Sequence, residues 1–226
     1  MEEKMVAVAN EPLKAERNYG IDLLRIVSIF MVLMLHVLMQ GGLLYAVDQF
    51  TFKGEVVWFL ETACYCAVNV YAIISGYVGY KSKPRLKKLL TLWLEVFLYS
   101  ALFGVVTSLY KFYAYGTPID VKFLIKCCLP FITNKYWYFS AYVILFALMP
   151  MLNVAIEKTA TPILRNGLIF VLFAFGFIPN ATFMVGGGYS VIWLVVLYLL
   201  GGYLAKDKPF EKMPSWLCFV LYFFPS

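Results

Sequence analysis

Between residues 19 and 205 six predominantly apolar runs, each of 17 to 26 residues, follow one another with only short polar breaks. They cover 19–44, 56–80, 89–110, 136–154, 163–179 and 189–205. A helix needs about 20 apolar residues to cross a bilayer, and inside hydrocarbon every backbone N–H and C=O must be paired within the segment. Runs of this length therefore predict helices that span. Composition agrees: 62% of the chain is apolar and 14% charged, where a soluble domain carries about a quarter charged residues. The predicted fold is all-α, a polytopic transmembrane bundle of six complete spans. A polar tail (1–18) precedes a membrane domain (19–226). Residues 121–132 are apolar but short, and predict an interfacial helix stopped near Pro130. A seventh run begins near Trp216 and has about ten residues, half a crossing, so the chain reads as stopping within a span.

Charge then assigns sides. If the N-terminus is cytoplasmic and the spans alternate, 13 of the 19 Lys and Arg lie in inner segments and five in outer ones; Arg25 lies within the first span. That bias orients the N-terminus inward. The net charge of +6 is thus topological and does not imply a nucleic-acid partner; the partner it implies is the lipid bilayer. The densest basic segment, Lys81 to Lys88, falls in the loop after the second span.

Ionisable side chains within spans are costly and are functional candidates by default. Here they are Asp22, Arg25 and His36 in the first span, Glu61 in the second and Glu95 in the third. Arg25 and His36 are eleven residues apart, which on an α-helix is ~20° from a whole number of turns and about 16 Å along the axis. They share a face, Arg25 near the inner end and His36, the chain's single histidine, deep. A guanidinium can hold phosphate or carboxylate, and an imidazole can act as a base near neutral pH. Asp22, three residues before Arg25, can pair with it. Glu61 can orient the His36 ring, snorkel outward or bond Asn69. Glu95 matches Arg25 in depth and suits an ion pair. Arg85, Lys87 and Lys88 are either a topology signal or a site for donor phosphates.

The remaining polar features carry less. Five cysteines (Cys64, Cys66, Cys127, Cys128, Cys218) lie in or beside apolar runs without zinc-like spacing, so no metal site is expected. Gly186 to Gly188 is not followed by a phosphate-binding pattern and reads as a flexible outer turn.

Arg17-Asn-Tyr-Gly-Ile-Asp-Leu-Leu-Arg25, with His36 after ten intervening residues, resembles the opening of the acyltransferase-3 family of bacterial membrane O-acyltransferases, marked by R-x10-H in the first helix. Ile74-Ser-Gly-Tyr77, and Tyr136-Trp-Tyr-Phe-Ser140 leading to Pro150, resemble further family segments in order and spacing. The resemblance implies a multi-pass enzyme of the bacterial plasma membrane. It would move an acyl group, often acetyl, from cytoplasmic acyl-CoA, a co-substrate, to a hydroxyl of a cell-envelope or exported glycan, with no permanently bound cofactor. His36 carries over as the essential histidine, either base or covalent acyl carrier, and Arg25 as its companion on the donor path. Relatives have R-x-R after the second helix where this chain has Arg85-Leu-Lys87, which keeps the charge but removes one bidentate donor. Family domains also have several more spans.

Two other function classes fit some of these features. Intramembrane His, Arg and Glu also mark transport pathways, although transport predicts pseudo-repeats between halves and the polar residues here crowd into the first three spans. A non-catalytic membrane domain or inactive fragment is the third reading.

Overall fold

In the computed structural model, the described residues are 17–133, 136–177, 188, 190–211 and 214. The expected tail up to residue 16, the outer turn at Gly186 and the partial seventh span lie outside them. Among the described residues all regular structure is helical: α1 (Tyr19–Leu35), continued by a π-helical turn (His36–Gln40), α2 (Leu43–Ala46), α3 (Phe52–Cys64), α4 (Ala67–Gly79), α5 (Leu86–Tyr115), α6 (Val121–Cys128), α7 (Trp137–Lys158), α8 (Thr161–Phe177) and α9 (Val191–Asp207). Four segments are long and apolar enough to cross a membrane: Tyr19–Gln40, Phe52–Gly79, Leu86–Tyr115 and Trp137–Lys158. The fifth and sixth expected spans correspond to α8 and α9, each described over 17 residues, the short end of what crosses. This is a multi-pass helical membrane protein, divided into two compact units, Met1–Ala67 and Val68–Ser226.

In the first unit α1 packs on α3. Asn18 caps α1, its side chain accepting from the Ile21 amide at 3.2 Å, and Asp22 puts an anion in the positively polarised first turn. The loop into α3 is built from local bonds: the Phe50 amide donates to Asp48 Oδ1 (3.0 Å), and Thr51 Oγ1 donates to the Asp48 carbonyl (2.7 Å) while accepting from the Gly54 amide (3.2 Å). Gly54 lies so close to this loop that a Cβ would sit 2.0 Å from the Asp48 carbonyl oxygen. The second crossing is not one uniform helix, since the ladder is interrupted at Tyr65–Cys66 between α3 and α4.

The core of the second unit gathers Ala72 of α4, Leu145, Met149, Leu152 and Ile156 of α7, and Leu194, Leu197 and Tyr198 of α9. Van der Waals fit and polar contacts, rather than water expulsion, drive helix association in lipid, and small residues allow close approach. A Cβ on Gly76 would lie 2.0 Å from the Tyr198 carbonyl oxygen, and one on Gly201 would lie 2.0 Å from that of Ile73. The α4 and α9 backbones touch there, which gives the Ser-Gly-Tyr segment a packing role. Polar side chains bind the same helices at several levels. Trp193 Nε1 donates to Asn69 Oδ1 (2.9 Å). Tyr198 donates to Asn153 Oδ1 (2.7 Å), and Asn153 Nδ2 donates to the Gly79 carbonyl (3.1 Å). Lys206 Nζ donates to the carbonyls of Ile156 and Thr159, both at 2.7 Å, satisfying the C-terminal end of α7. Contacts at matching ends mean that α4, α7 and α9 run in the same direction, as alternating crossings require.

The short helix expected within 121–132 is α6, which ends at Cys128 and is capped by Asp120, whose Oδ1 accepts from the Lys122 and Phe123 amides. It packs on α5, with buried Cys127 against Gly104. The third span is longer than its apolar run. It continues through Tyr110 and Lys111 to a left-handed Gly116, because long amphipathic side chains let a helix emerge from lipid without ending.

Candidate functional site

Arg25 and His36 both leave α1. The helix is regular from Tyr19 to Leu35, so their eleven-residue spacing keeps its phase: ~20° in azimuth and about 16 Å apart along the axis. The packed side of α1 is marked by buried Ser28 and half-buried Ile21, Val32 and Leu35. Arg25 and His36 lie about 60–80° round from it on one flank, both exposed.

At the start of this flank Asp22 joins two arginines. Its Oδ1 accepts from Arg25 Nη1 at 3.2 Å and its Oδ2 from Arg17 Nε. The pairing expected between Asp22 and Arg25 is therefore present. Because two guanidiniums share one carboxylate, the group keeps a net positive charge. The Arg25 side chain is 44% exposed, so its guanidinium is pre-oriented and still accessible to an anion.

His36 sits where α1 changes register. The Gly41 amide donates to the His36 carbonyl at 3.1 Å, an i to i+5 bond that widens the helix into a π turn, a distortion that recurs at functional sites. The His36 amide is shared between the Val32 and Leu33 carbonyls, and its ring Nδ1 lies 2.7 Å from the Val32 carbonyl oxygen. The histidine and arginine were legible from composition and spacing. The π turn was not, because hydropathy carries no trace of hydrogen-bond offset. Its one signal is Gly41, where a Cβ would stand 2.2 Å from the Val37 carbonyl oxygen.

Glu61 lies on α3 and is 2% exposed, so it does not snorkel outward. Its Oε2 has no hydrogen-bond partner among the described residues. The His36 ring Nδ1 meets the Val32 carbonyl, while Asn69 Oδ1 is engaged by Trp193.

In the second unit Arg85, Lys87, Lys88, Thr91, Leu92 and Glu95 line one open cavity of about 420 Å³ at the N-terminal end of α5. No side chain caps this end. Three cations thus surround the positive pole of a helix dipole, an arrangement that repels itself and favours an anion. Among the described residues no group of three His, Cys, Asp or Glu side chains could hold a metal ion.

Residues 18–224 match the family profile Acyl_transf_3, described as an acyltransferase domain. No curated protein and no solved structure matches the chain at a significant level.

Proposed function

The chain belongs to the acyltransferase-3 family and is a membrane acyltransferase, and from that premise we propose that it transfers an acyl group, acetyl in the simplest case, from acyl-CoA to a hydroxyl of a cell-envelope or exported glycan. The membrane is the bacterial plasma membrane, with the N-terminus and the 81–88 loop on the cytoplasmic side where acyl-CoA is found. The observation that carries this reading is the flank of α1, which presents an accessible guanidinium and, about 16 Å further along, the only imidazole of the chain.

A CoA thioester has an anionic, phosphate-bearing head and a long uncharged arm ending at the reactive carbonyl. The Arg17–Asp22–Arg25 group suits the head or the entry of the arm, and the arm then runs along α1 toward His36. The cavity formed by Arg85, Lys87 and Lys88 supplies a second place for phosphates, with Glu95 limiting its net charge. His36 takes the proton of the acceptor hydroxyl as its oxygen attacks the thioester carbonyl. Collapse of the tetrahedral intermediate breaks the carbon–sulfur bond, and the imidazolium returns the proton to the departing thiolate. In the covalent variant the imidazole attacks first and carries the acyl group to the hydroxyl. The two differ in whether an acyl-histidine forms.

The test is His36→Ala in membranes, with insertion checked, followed by mass spectrometry of envelope glycans for ester-linked acyl groups. General base catalysis contributes about 10²–10⁴-fold, so the ester should fall to background. Undiminished acylation would exclude His36 from the reaction.

A further inference from the structure

We infer that His36 reacts through Nε2, with its proton fixed on Nδ1 by the Val32 carbonyl one helical turn below. This rests on the acyl-transfer role given above and specifies which atom performs it. A backbone carbonyl oxygen has lone pairs and no proton to give. At the 2.7 Å separation of Nδ1 from Val32 O, the hydrogen of that bond therefore belongs to Nδ1. In the neutral ring the lone pair is then on Nε2, which has no hydrogen-bond partner among the described residues and belongs to an exposed side chain. Free histidine favours the opposite tautomer, so the helix imposes a choice that the side chain alone would not make.

One carbonyl can serve both backbone and ring because its oxygen has two lone pairs. Val32 O accepts from the His36 amide, which is shared with the Leu33 carbonyl, and has a second lone pair for Nδ1–H, as the Leu24 carbonyl has for the Ser28 hydroxyl eight residues earlier. The π turn that begins at His36 is closed by the Gly41 amide, and only a glycine leaves room there beneath the Val37 carbonyl. Val32 and Gly41 are thus positioning residues, acting through backbone atoms. The arrangement does for this ring what a carboxylate does for histidines held by Asp or Glu, without adding a charge in the membrane. During proton transfer Nε2 accepts the hydroxyl proton, Nδ1–H stays on Val32 O, and the imidazolium formed is stabilised by that bond. In the covalent variant the acyl group forms its bond to Nε2.

A single histidine makes this directly measurable. Protein labelled with 15N-histidine and reconstituted in lipid nanodiscs should show, with the ring neutral, a protonated pyrrole-type Nδ1 and an unprotonated pyridine-type Nε2. The reverse assignment overturns the inference whatever the activity. In the enzyme, histidine methylated on Nε2 and inserted at position 36 should lower acyl transfer by about 10²-fold or more. The Nδ1-methyl isomer keeps the reactive lone pair but loses the bond to Val32 O, where 2.7 Å leaves no room for a methyl, so it should fall as well while staying above the Nε2-methyl isomer. The opposite ranking overturns the inference. Undiminished transfer by both methyl forms and by His36→Ala overturns the acyl-transfer role itself, an outcome the nitrogen spectrum distinguishes because it reads the tautomer alone.

Discussion

Replacing Gly201 with alanine should unfold the second unit more readily without touching a charged or reactive group. The added Cβ would lie 2.0 Å from the Ile73 carbonyl oxygen and 2.8 Å from the Tyr77 amide nitrogen, where ordinary contact begins at 3.4 Å. Both obstacles are backbone, so no rotamer change relieves the clash, and α4 and α9 must separate by about 1.4 Å. Overpacking costs about 1–3 kcal/mol, occasionally more. The upper end is expected because separation also stretches the Trp193–Asn69 bond between the same two helices. At about 2–4 °C per kcal/mol for chains of 150–250 residues, 3 kcal/mol lowers Tm by about 6–12 °C. The assay is thermal unfolding in detergent micelles followed by tryptophan fluorescence. Gly167→Ala is the control, since a Cβ at that position meets nothing within 4 Å. Equal melting of the two variants would refute the claim that α4 and α9 are in backbone contact at Gly201.

Lys206→Met keeps a long apolar stem but leaves the Ile156 and Thr159 carbonyls without their 2.7 Å donor; a loss of about 1–3 kcal/mol in the same melting assay is expected, and an unchanged Tm would show that water replaces the ammonium at no cost. Lys87→Gln combined with Lys88→Gln should raise KM for acyl-CoA several-fold with little change in kcat and weaken its salt dependence, whereas a fall in kcat alone would move these residues out of donor binding. Gly41→Ala should open the π turn: kcat should fall while the protein stays folded, and the 15N spectrum of His36 should lose the Nδ1–Val32 pattern. An unaltered spectrum would separate Gly41 from the placing of the ring.

The parts of this fold that were legible in the sequence depend on quantities that vary slowly along the chain. Apolar run length located the crossings, and the 100° advance per residue put Arg25 and His36 on one flank because α1 stays regular until Leu35. What could not be read depends on single backbone bonds or on distant partners. The break at Tyr65–Cys66 and the π turn at His36 are changes of hydrogen-bond offset inside runs whose hydropathy does not change. Lys206 read only as one of several inner cations, yet it satisfies carbonyls about fifty positions earlier. Asn153 carried no signal of its own, and the structure shows it accepting from Tyr198 while donating to the carbonyl of Gly79.

The segments that carry the family resemblance divide into two physical kinds, which determines how mutations in them must be read. Arg25 and His36 are polar, exposed and costly to keep in a membrane, and under the proposed function their use is chemical. Gly76 of the Ser-Gly-Tyr segment is the reverse. It is buried and lies against the Tyr198 backbone, so its substitution should lower activity by parting helices rather than by removing a reacting group. Phe139 of the Trp-Tyr segment is likewise a buried packing residue. Loss of acyl transfer therefore cannot by itself assign a residue to the reaction, because both kinds are lost together. Melting temperature and the state of the His36 ring separate them: a packing variant moves the first, a positioning variant moves the second, and a variant of the reacting group itself moves neither fold nor neighbouring helix while still abolishing transfer.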